Sequence, residues 1–331
     1  MTQASNKPYH VVAIGNAIVD VLSFSDDAFI VGENMKKGTM CLIDEDRAEA
    51  LYNKMGPSTE VSGGSAANTL AGLSSLGART AFIGKVFKDQ LGKIFRHDLQ
   101  AVGVEFSTPP AETGRSTARC LILVTPDGQR TMNTFIGACN ELYENDIDAG
   151  LIANAQIVYG EGYMWDMDCT KQAMKTAFKL AKENGAKVAF TLSDVFCVQR
   201  SREEFLSMIE HDVDILFCNE AEVRALYPED DFPAILDKLQ GKCEIVAVTT
   251  GDRGSVILTK DGRRTHVDAV PVHEVIDTTG AGDLYAAGFL YGYTHGMNIR
   301  ECGRLGSACA SDIITHLGAR AQRPLTRLLV A

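Results

Sequence analysis

The stretch DTTGAGD, residues 277–283, places a carboxylate at each end of five small residues and runs directly into LYAAGFLYGYTHG, residues 284–296. Gly280 and Gly282 accept backbone angles that side chains resist, and they let another molecule approach the main chain. Leu284, Ala287, Gly288 and Tyr291 then recur at helical spacing, which predicts a helix beginning near Gly282 or Asp283. The first N–H groups of a helix lack internal partners, and with the helix dipole they favour an anion. Asp283 would therefore stand beside an anion hole. Taken alone, the stretch also reads as a glycine turn followed by an ordinary acidic first-turn residue.

The surrounding chain narrows the choice. Its 331 residues suffice for two domains, or for one large domain with an appendage. Hydrophobic residues make up 45% and charged residues 23%, the balance of a soluble globular protein, here expected to be cytoplasmic. The net charge of −11, without any run of Lys or Arg, argues against nucleic-acid and membrane-surface partners. Nine cysteines show no Cys-x-x-Cys and seven histidines no metal-binding spacing, so reduced thiols and no structural zinc are expected. The polar start MTQASNKPYH leads directly into VVAIG and shows no signal peptide, and the longest apolar runs fall far short of a membrane span.

Apolar, β-rich runs alternate with helical stretches along most of the chain. VVAIG, TAFIGKV, AQIVYGEG, AKVAFTLS, VDILFCN and EIVAVTTG are separated by segments such as AANTLAGLSSLG and TKQAMKTAFKLAKENG. Continuous apolar strands between helices predict a doubly wound, mostly parallel α/β sheet covered on both faces. Segments 21–45 and 104–136 break the rhythm. Within the second, RSTARCLILVTPDGQRTMNTFIG reads as a hairpin turning at Pro126-Asp127-Gly128. These two segments are expected to form a small β-sheet lid over a large domain of residues 1–20, 46–103 and 137–331.

Ligands of open α/β sheets bind beyond the carboxyl ends of the strands. Polar and glycine signals collect at those ends: Asn16 and Asp20 in GNAIVD, the pair Gly63-Gly64 with Asn68 in SGGSAAN, Asn219 and Glu222 in NEAE, and TTGDRG at 249–254. No Gly-x-x-x-x-Gly-Lys-Ser/Thr occurs, because Gly84-Lys85, Gly92-Lys93 and Gly241-Lys242 are followed by Val86, Ile94 and Cys243. No Gly-x-Gly-x-x-Gly follows the first strand either, which removes the main support for a dinucleotide-binding dehydrogenase.

The ordered set GNAIVD, GGSAANTLAGLSSLG, IGKVFKDQLG, NEAE, TTGDRG and DTTGAGDLYAAGF resembles the ribokinase-like (PfkB) family of carbohydrate and nucleoside kinases. The resemblance runs from about residue 10 to about residue 320. It implies a ribokinase-like α/β domain, a β lid, and ATP-dependent phosphorylation of a hydroxymethyl group. DGQRTMNTFIGACNEL, YGEGYMW, FTLSDVFC and VDILFCNEAEVRAL look more like the adenosine kinases of the family than its sugar kinases. Phosphoryl transfer asks a protein mainly to position the acceptor, neutralise the phosphates and remove one proton.

Carried over on these motifs, Asp283 is implied as the base for the acceptor 5′-hydroxyl. Gly280, Ala281 and Gly282 are implied as the anion hole. Arg130 falls where adenosine kinases carry an arginine near the transferred phosphate. Asn16, Asp20, Gly63, Gly64 and Asn68 are implied as the ribose cradle, with Met40, Phe135, Tyr163 and Met164 as candidate contacts to the base. Asn219, Thr249, Gly251, Gly254 and Thr279 would lie along ATP, and Glu222 would hold Mg²⁺ through water. A monovalent cation is a further candidate cofactor.

The implied activity is an ATP:nucleoside 5′-phosphotransferase acting on adenosine, as a monomer or homodimer. A kinase for free ribose or fructose is the alternative, distinguished by whether the lid-side pocket is apolar and large enough for a purine. A nucleoside-binding protein without turnover is a third reading, opposed by the intact Asp283 and glycine hole.

Overall fold

The computed structural model describes residues 7–330. The first strands are β1 (Tyr9–Ile14), β2 (Ile18–Phe24), β3 (Met40–Leu42), β4 (Ser58–Ser62), β5 (Thr80–Ile83), β6 (Val104–Phe106) and β7 (Ala118–Val124). There follow β8 (Arg130–Phe135), β9 (Ala155–Glu161), β10 (Lys187–Thr191), β11 (Ile215–Asn219), β12 (Ile245–Thr249), β13 (Ser255–Thr259) and β14 (Arg264–Val267).

A nine-stranded sheet has the order β14-β13-β12-β11-β10-β9-β1-β5-β6. Every pair from β12 through β6 is parallel, and the two pairs at one edge, β12–β13 and β13–β14, are antiparallel. The six apolar runs read from the sequence are the six strands from β12 to β5. Burial on both faces explains their continuous hydrophobicity: in β1, Val11 and Ala13 enter one core cluster while Val12 and Ile14 enter the other. Helices Ser65–Ser75, Ala281–Thr294 and Ile299–Ile313 line the first cluster. Helices Asp168–Glu183, Val195–His211 and Phe232–Leu239 line the second.

A second sheet of five strands, in the order β3-β8-β7-β2-β4, stands apart from the first. Its β7–β8 hairpin turns where expected, with Gly128 at φ 78° donating its N–H to Thr125 O at 2.8 Å. Its membership differs from the expected segments 21–45 and 104–136. β2 begins at Ile18, and β4 joins by antiparallel pairing with β2, although it lies within 46–103. β6 pairs with β5 in the large sheet, burying Val104 and Phe106 in the main core. The reason is chemical: β4 is STEVS, with Ser58 and Thr59 exposed, so it offers no apolar run to read.

Among the described residues no helix is long and apolar enough to cross a membrane. All nine cysteines are free thiols, and burial raises the pKa of most of them.

Candidate active site

The carboxyl ends of β1, β9, β11 and β12 present Asn16, Glu161, Asn219 and Thr249. The chain leaves β1 toward β5 on one side and enters β9 on the other, so a topological switch point lies between β1 and β9. Across it, the Asn16 N–H donates to Glu161 Oε1 at 2.9 Å, and the Ala66 N–H donates to Glu161 Oε2 at 2.6 Å. Glu161 is fully buried, and burial pushes its carboxyl up to about 7 against the pull of these two bonds.

The helix that begins at Ala281 sets Asp283 in its first turn, slightly earlier in the chain than the sequence predicted. Gly280 precedes it in the left-handed region at φ 79°, and a Cβ there would sit 2.7 Å from Ala319 Cβ. No side chain caps this terminus, and a Cβ on Gly282 would meet nothing within 4 Å. The Ala281 N–H donates to Thr278 O at 3.2 Å, and the N–H groups of Gly280 and Gly282 face an unobstructed approach. Ser65 Oγ donates to Asp283 Oδ1 at 2.6 Å, and Asn68 Nδ2 donates to Asp283 Oδ2 at 3.0 Å. Burial raises the Asp283 carboxyl, while these two bonds and the Arg320 cation pull it back down.

Asp20 lies inside β2 of the small sheet rather than at the end of the first strand, and its carboxylate faces Gly63. A Cβ on Gly63 would come within 2.5 Å of Asp20 Oδ2, so only glycine leaves this carboxylate its place. Gly64, at φ 89°, would drive a Cβ to 2.3 Å from the Asn16 carbonyl oxygen. Burial pushes Asp20 up to about 6; Arg130 and Arg320 pull it down, and Asp283 and Asp277 push it up. Asn68 Oδ1 is a buried acceptor without a hydrogen-bond partner, which fits a hydroxyl donor arriving beside Asp283.

Arg130, at the start of β8, reaches out of the small sheet to donate to Asp277 Oδ2 and Thr279 Oγ1. Asp277 also accepts from the Thr279 N–H at 3.0 Å and the Gly318 N–H at 2.9 Å. Burial would raise the Asp277 carboxyl, but these bonds and the Arg130 charge hold it below its ordinary value. Arg130 Nε remains a buried donor without a partner, beside the anion-seeking helix terminus.

Asn219 and Glu222 form a reciprocal cap at the end of β11. The Glu222 N–H donates to Asn219 Oδ1 at 2.9 Å, and the Asn219 N–H and Nδ2 donate to Glu222 Oε2 and Oε1 at 2.9 and 2.6 Å. Burial pushes Glu222 up to about 7, with Asp194 and Asp283 adding to the rise. A buried carboxylate with no cation beside an amide suits magnesium, which keeps its waters and takes few protein oxygens. Thr249 ends β12 and donates to Cys218 O at 3.4 Å. Gly251 is open to solvent at φ 64°, whereas Gly254 is packed: a Cβ there would meet Val267 O at 2.0 Å. Gly254 is thus explained by its approach to β14 alone.

The four apolar candidates separate. Met40 on β3 is 42% exposed and Tyr163 is 37% exposed, so both offer surface to a ligand. Phe135 is buried in β8, with Arg119 above its ring. Met164 is buried in the core cluster that holds Trp165, Phe190 and Phe205, which accounts for it as packing.

Three residues at this site were not singled out in the sequence. Ser65 sits inside SGGSAAN, between the glycines and Asn68, where a single serine carries no spacing signal of its own. Glu161 ends the strand run AQIVYGEG, where a charge closing an apolar strand was a signal available to be read. Arg320 lies in a loop with no motif around it.

Residues 29–326 match the pfkB family carbohydrate kinase. The chain belongs to that family. Among solved PfkB-like structures, adenosine kinase from Sinorhizobium meliloti is 47% identical with a TM-score of 0.90, covering 98% of this chain and 99% of that one. A probable sugar kinase from Rhizobium etli is 45% identical with a TM-score of 0.91, covering 98% of both chains. An uncharacterized sugar kinase of Archaeoglobus fulgidus is 32% identical over 76% of this chain and 98% of its own length. TM-scores of 0.91 and 0.90 over 98% of this chain show that it shares the overall fold of both solved structures.

Proposed function

We propose that this PfkB kinase phosphorylates the 5′-hydroxyl of a nucleoside with ATP, and that adenosine is its acceptor. The observation that carries the reading is the Asp283 carboxylate, held by Ser65 and Asn68 at an uncapped helix terminus whose approach Gly282 leaves open. The likeness to the Sinorhizobium meliloti adenosine kinase over nearly the whole chain supports the choice of acceptor.

In this reading Asp283 takes the hydroxyl proton as the oxygen attacks the γ-phosphorus, and the bond from that phosphorus to the β–γ bridging oxygen breaks to release ADP. The N–H groups of Gly280 and Gly282 stabilise the charge on the transferred group, that of Ala281 joins them as it leaves Thr278 O, and Arg130 moves from Asp277 toward the same group through its spare Nε. Asp20, Asn16, Gly63, Gly64 and Asn68 hold the ribose, and Met40 and Tyr163 offer apolar surface to the base. Asn219, Thr249, Gly251 and Thr279 lie along ATP. Glu222 and Asn219 would hold Mg²⁺ through water, and the ion supplies charge neutralisation across the phosphates. The small sheet closes over the acceptor as a lid.

A turnover screen with Mg-ATP against nucleosides and free sugars tests the proposal. Adenosine should lead in kcat/KM. Ribose or fructose turning over far better would replace it with a sugar acceptor, in line with the Rhizobium etli and Archaeoglobus fulgidus names.

A further inference from the structure

Three consecutive residues near the end of the chain touch both signature loops. The Gly318 N–H donates to Asp277 Oδ2 at 2.9 Å, and Ala319 packs where Gly280 can have no side chain. Arg320 then crosses to the other loop: Nε donates to Ser62 O at 3.0 Å, Nη2 to Ser62 Oγ at 3.2 Å, and Nη1 to Ala67 O at 2.7 Å. Ser62 ends β4 of the small sheet and Ala67 lies in the first turn of helix Ser65–Ser75. The guanidinium therefore spans the Gly63-Gly64 pair from both sides. Lysine could not reproduce that fork of three bonds.

We propose that Arg320 is a positioning residue that clamps loop 62–68 against loop 277–283, fixing Ser65 and Asn68 on Asp283, and places a cation within Coulombic reach of both Asp20 and Asp283. The inference rests on the kinase reading for its catalytic consequence. All three of its bonds go to neutral oxygens, so its charge remains unpaired and acts on the surrounding carboxylates. Burial lowers Arg320 to about 10, opposed by Asp20, Asp283 and Asp98. Asp98, on helix Gln90–Ala101, accepts the Ser62 N–H at 3.1 Å. The other groups facing the two aspartates are Arg130, Asp277, Glu161, Glu222, Tyr159, Tyr163 and Cys120. Arg130 alone among them is cationic, and it is committed to Asp277. Removing Arg320 leaves Asp283 without an opposite charge and Asp20 with Arg130 alone, so both should hold their protons to higher pH, Asp283 the more.

The test is Arg320→Met beside Arg320→Lys, with thermal midpoints recorded for each. In Arg320→Met the acidic limb of kcat/KM should move up by about one pH unit and kcat should fall at least tenfold. In Arg320→Lys the limb should return toward wild type while kcat stays depressed, because the charge is restored and the fork is not. A limb and kcat unchanged in Arg320→Met, with only the melting point lowered, would reduce Arg320 to a structural bond donor and overturn the proposal. If Arg320→Met does not fold, Arg320→Lys decides by its kcat: wild-type turnover overturns the clamp. Carboxyl ¹³C titration of the aspartates reads the same upward shift without any acceptor or ATP. Failure of the kinase reading would appear separately, as wild-type protein that turns over nothing in the nucleoside and sugar screen.

Discussion

Asn68 and Asp283 lie 215 positions apart, yet Asn68 Nδ2 donates to Asp283 Oδ2 at 3.0 Å. Asn68 spends an amide hydrogen on the aspartate and keeps its own buried Oδ1 without a partner. A hydroxyl placed between them has one hydrogen to give, either to the free Asn68 oxygen or to the carboxylate, and either bond holds it beside the base.

Asp283→Asn keeps that geometry and removes the base. Its amide can donate to Ser65 Oγ while its oxygen accepts from Asn68, so the fold should survive. General-base catalysis is typically worth on the order of 10²–10⁴ in rate, and turnover should fall by at least that factor while adenosine binding persists. Single-turnover kinetics beside calorimetric binding would check this. A variant keeping more than about a tenth of normal kcat would take the proton from some other group.

Asp20 should read the ribose. Hydrogen bonds to a charged carboxylate contribute roughly 1.5–3 kcal/mol, so the intact enzyme should prefer adenosine to 2′-deoxyadenosine by about tenfold or more. In Asp20→Ala, activity on adenosine should drop and the preference should shrink. Measuring kcat/KM for both nucleosides on both proteins decides the matter, because a ratio that the substitution leaves alone removes Asp20 from the ribose.

Activity and stability should part company on the acid side. Asp20 sits at about 6 in the folded protein, above the roughly 3.9 of a free aspartate. Its stability contribution is therefore fully present at low pH and is lost as pH rises through about 6, since ionising a buried carboxylate costs the native state. Glu161 and Glu222, each pushed up to about 7, act in the same direction. Catalysis needs the opposite form of Asp20 and Asp283. Between pH 7 and 5.5, kcat/KM should fall while these groups raise the melting temperature. Parallel decline of both curves would contradict the assignment.

The glycines of 277–283 should separate fold from chemistry. Gly280→Ala forces an L residue into the left-handed region, at about 1–2 kcal/mol, and collides with Ala319, so the melting point should drop. Gly282→Ala meets nothing within 4 Å and should leave stability near wild type. Its methyl would intrude on the approach to the helix terminus, and turnover should fall tenfold or more. An active, stable Gly282→Ala protein would move the anion elsewhere.

What could be read from the sequence was whatever local chemistry announces. Six parallel strands were visible because both faces bury Val, Ile and Phe, and the helix after Gly280 was visible because small and apolar residues keep its period. β4 was not, since STEVS is a polar edge strand whose place is decided by pairing with β2. Asp283, Asn68 and Glu222 stand inside recognisable strings. Glu161 and Arg320 act through single side chains reaching across the fold to main-chain atoms, and no periodicity or spacing encodes such a reach.

Arg320 meets Ser62 across 258 positions, which sets an order on the birth of the protein. The small sheet is complete in sequence at Phe135, and the parallel strands of the large sheet at Thr249. At about 5–20 residues per second of synthesis, the small sheet waits roughly ten to forty seconds for the arginine that ties its edge to the rest. A nascent chain would thus own nearly all its strands while its two signature loops were still unjoined. Full kinase turnover would then wait on residue 320, which is synthesised after every strand of both sheets.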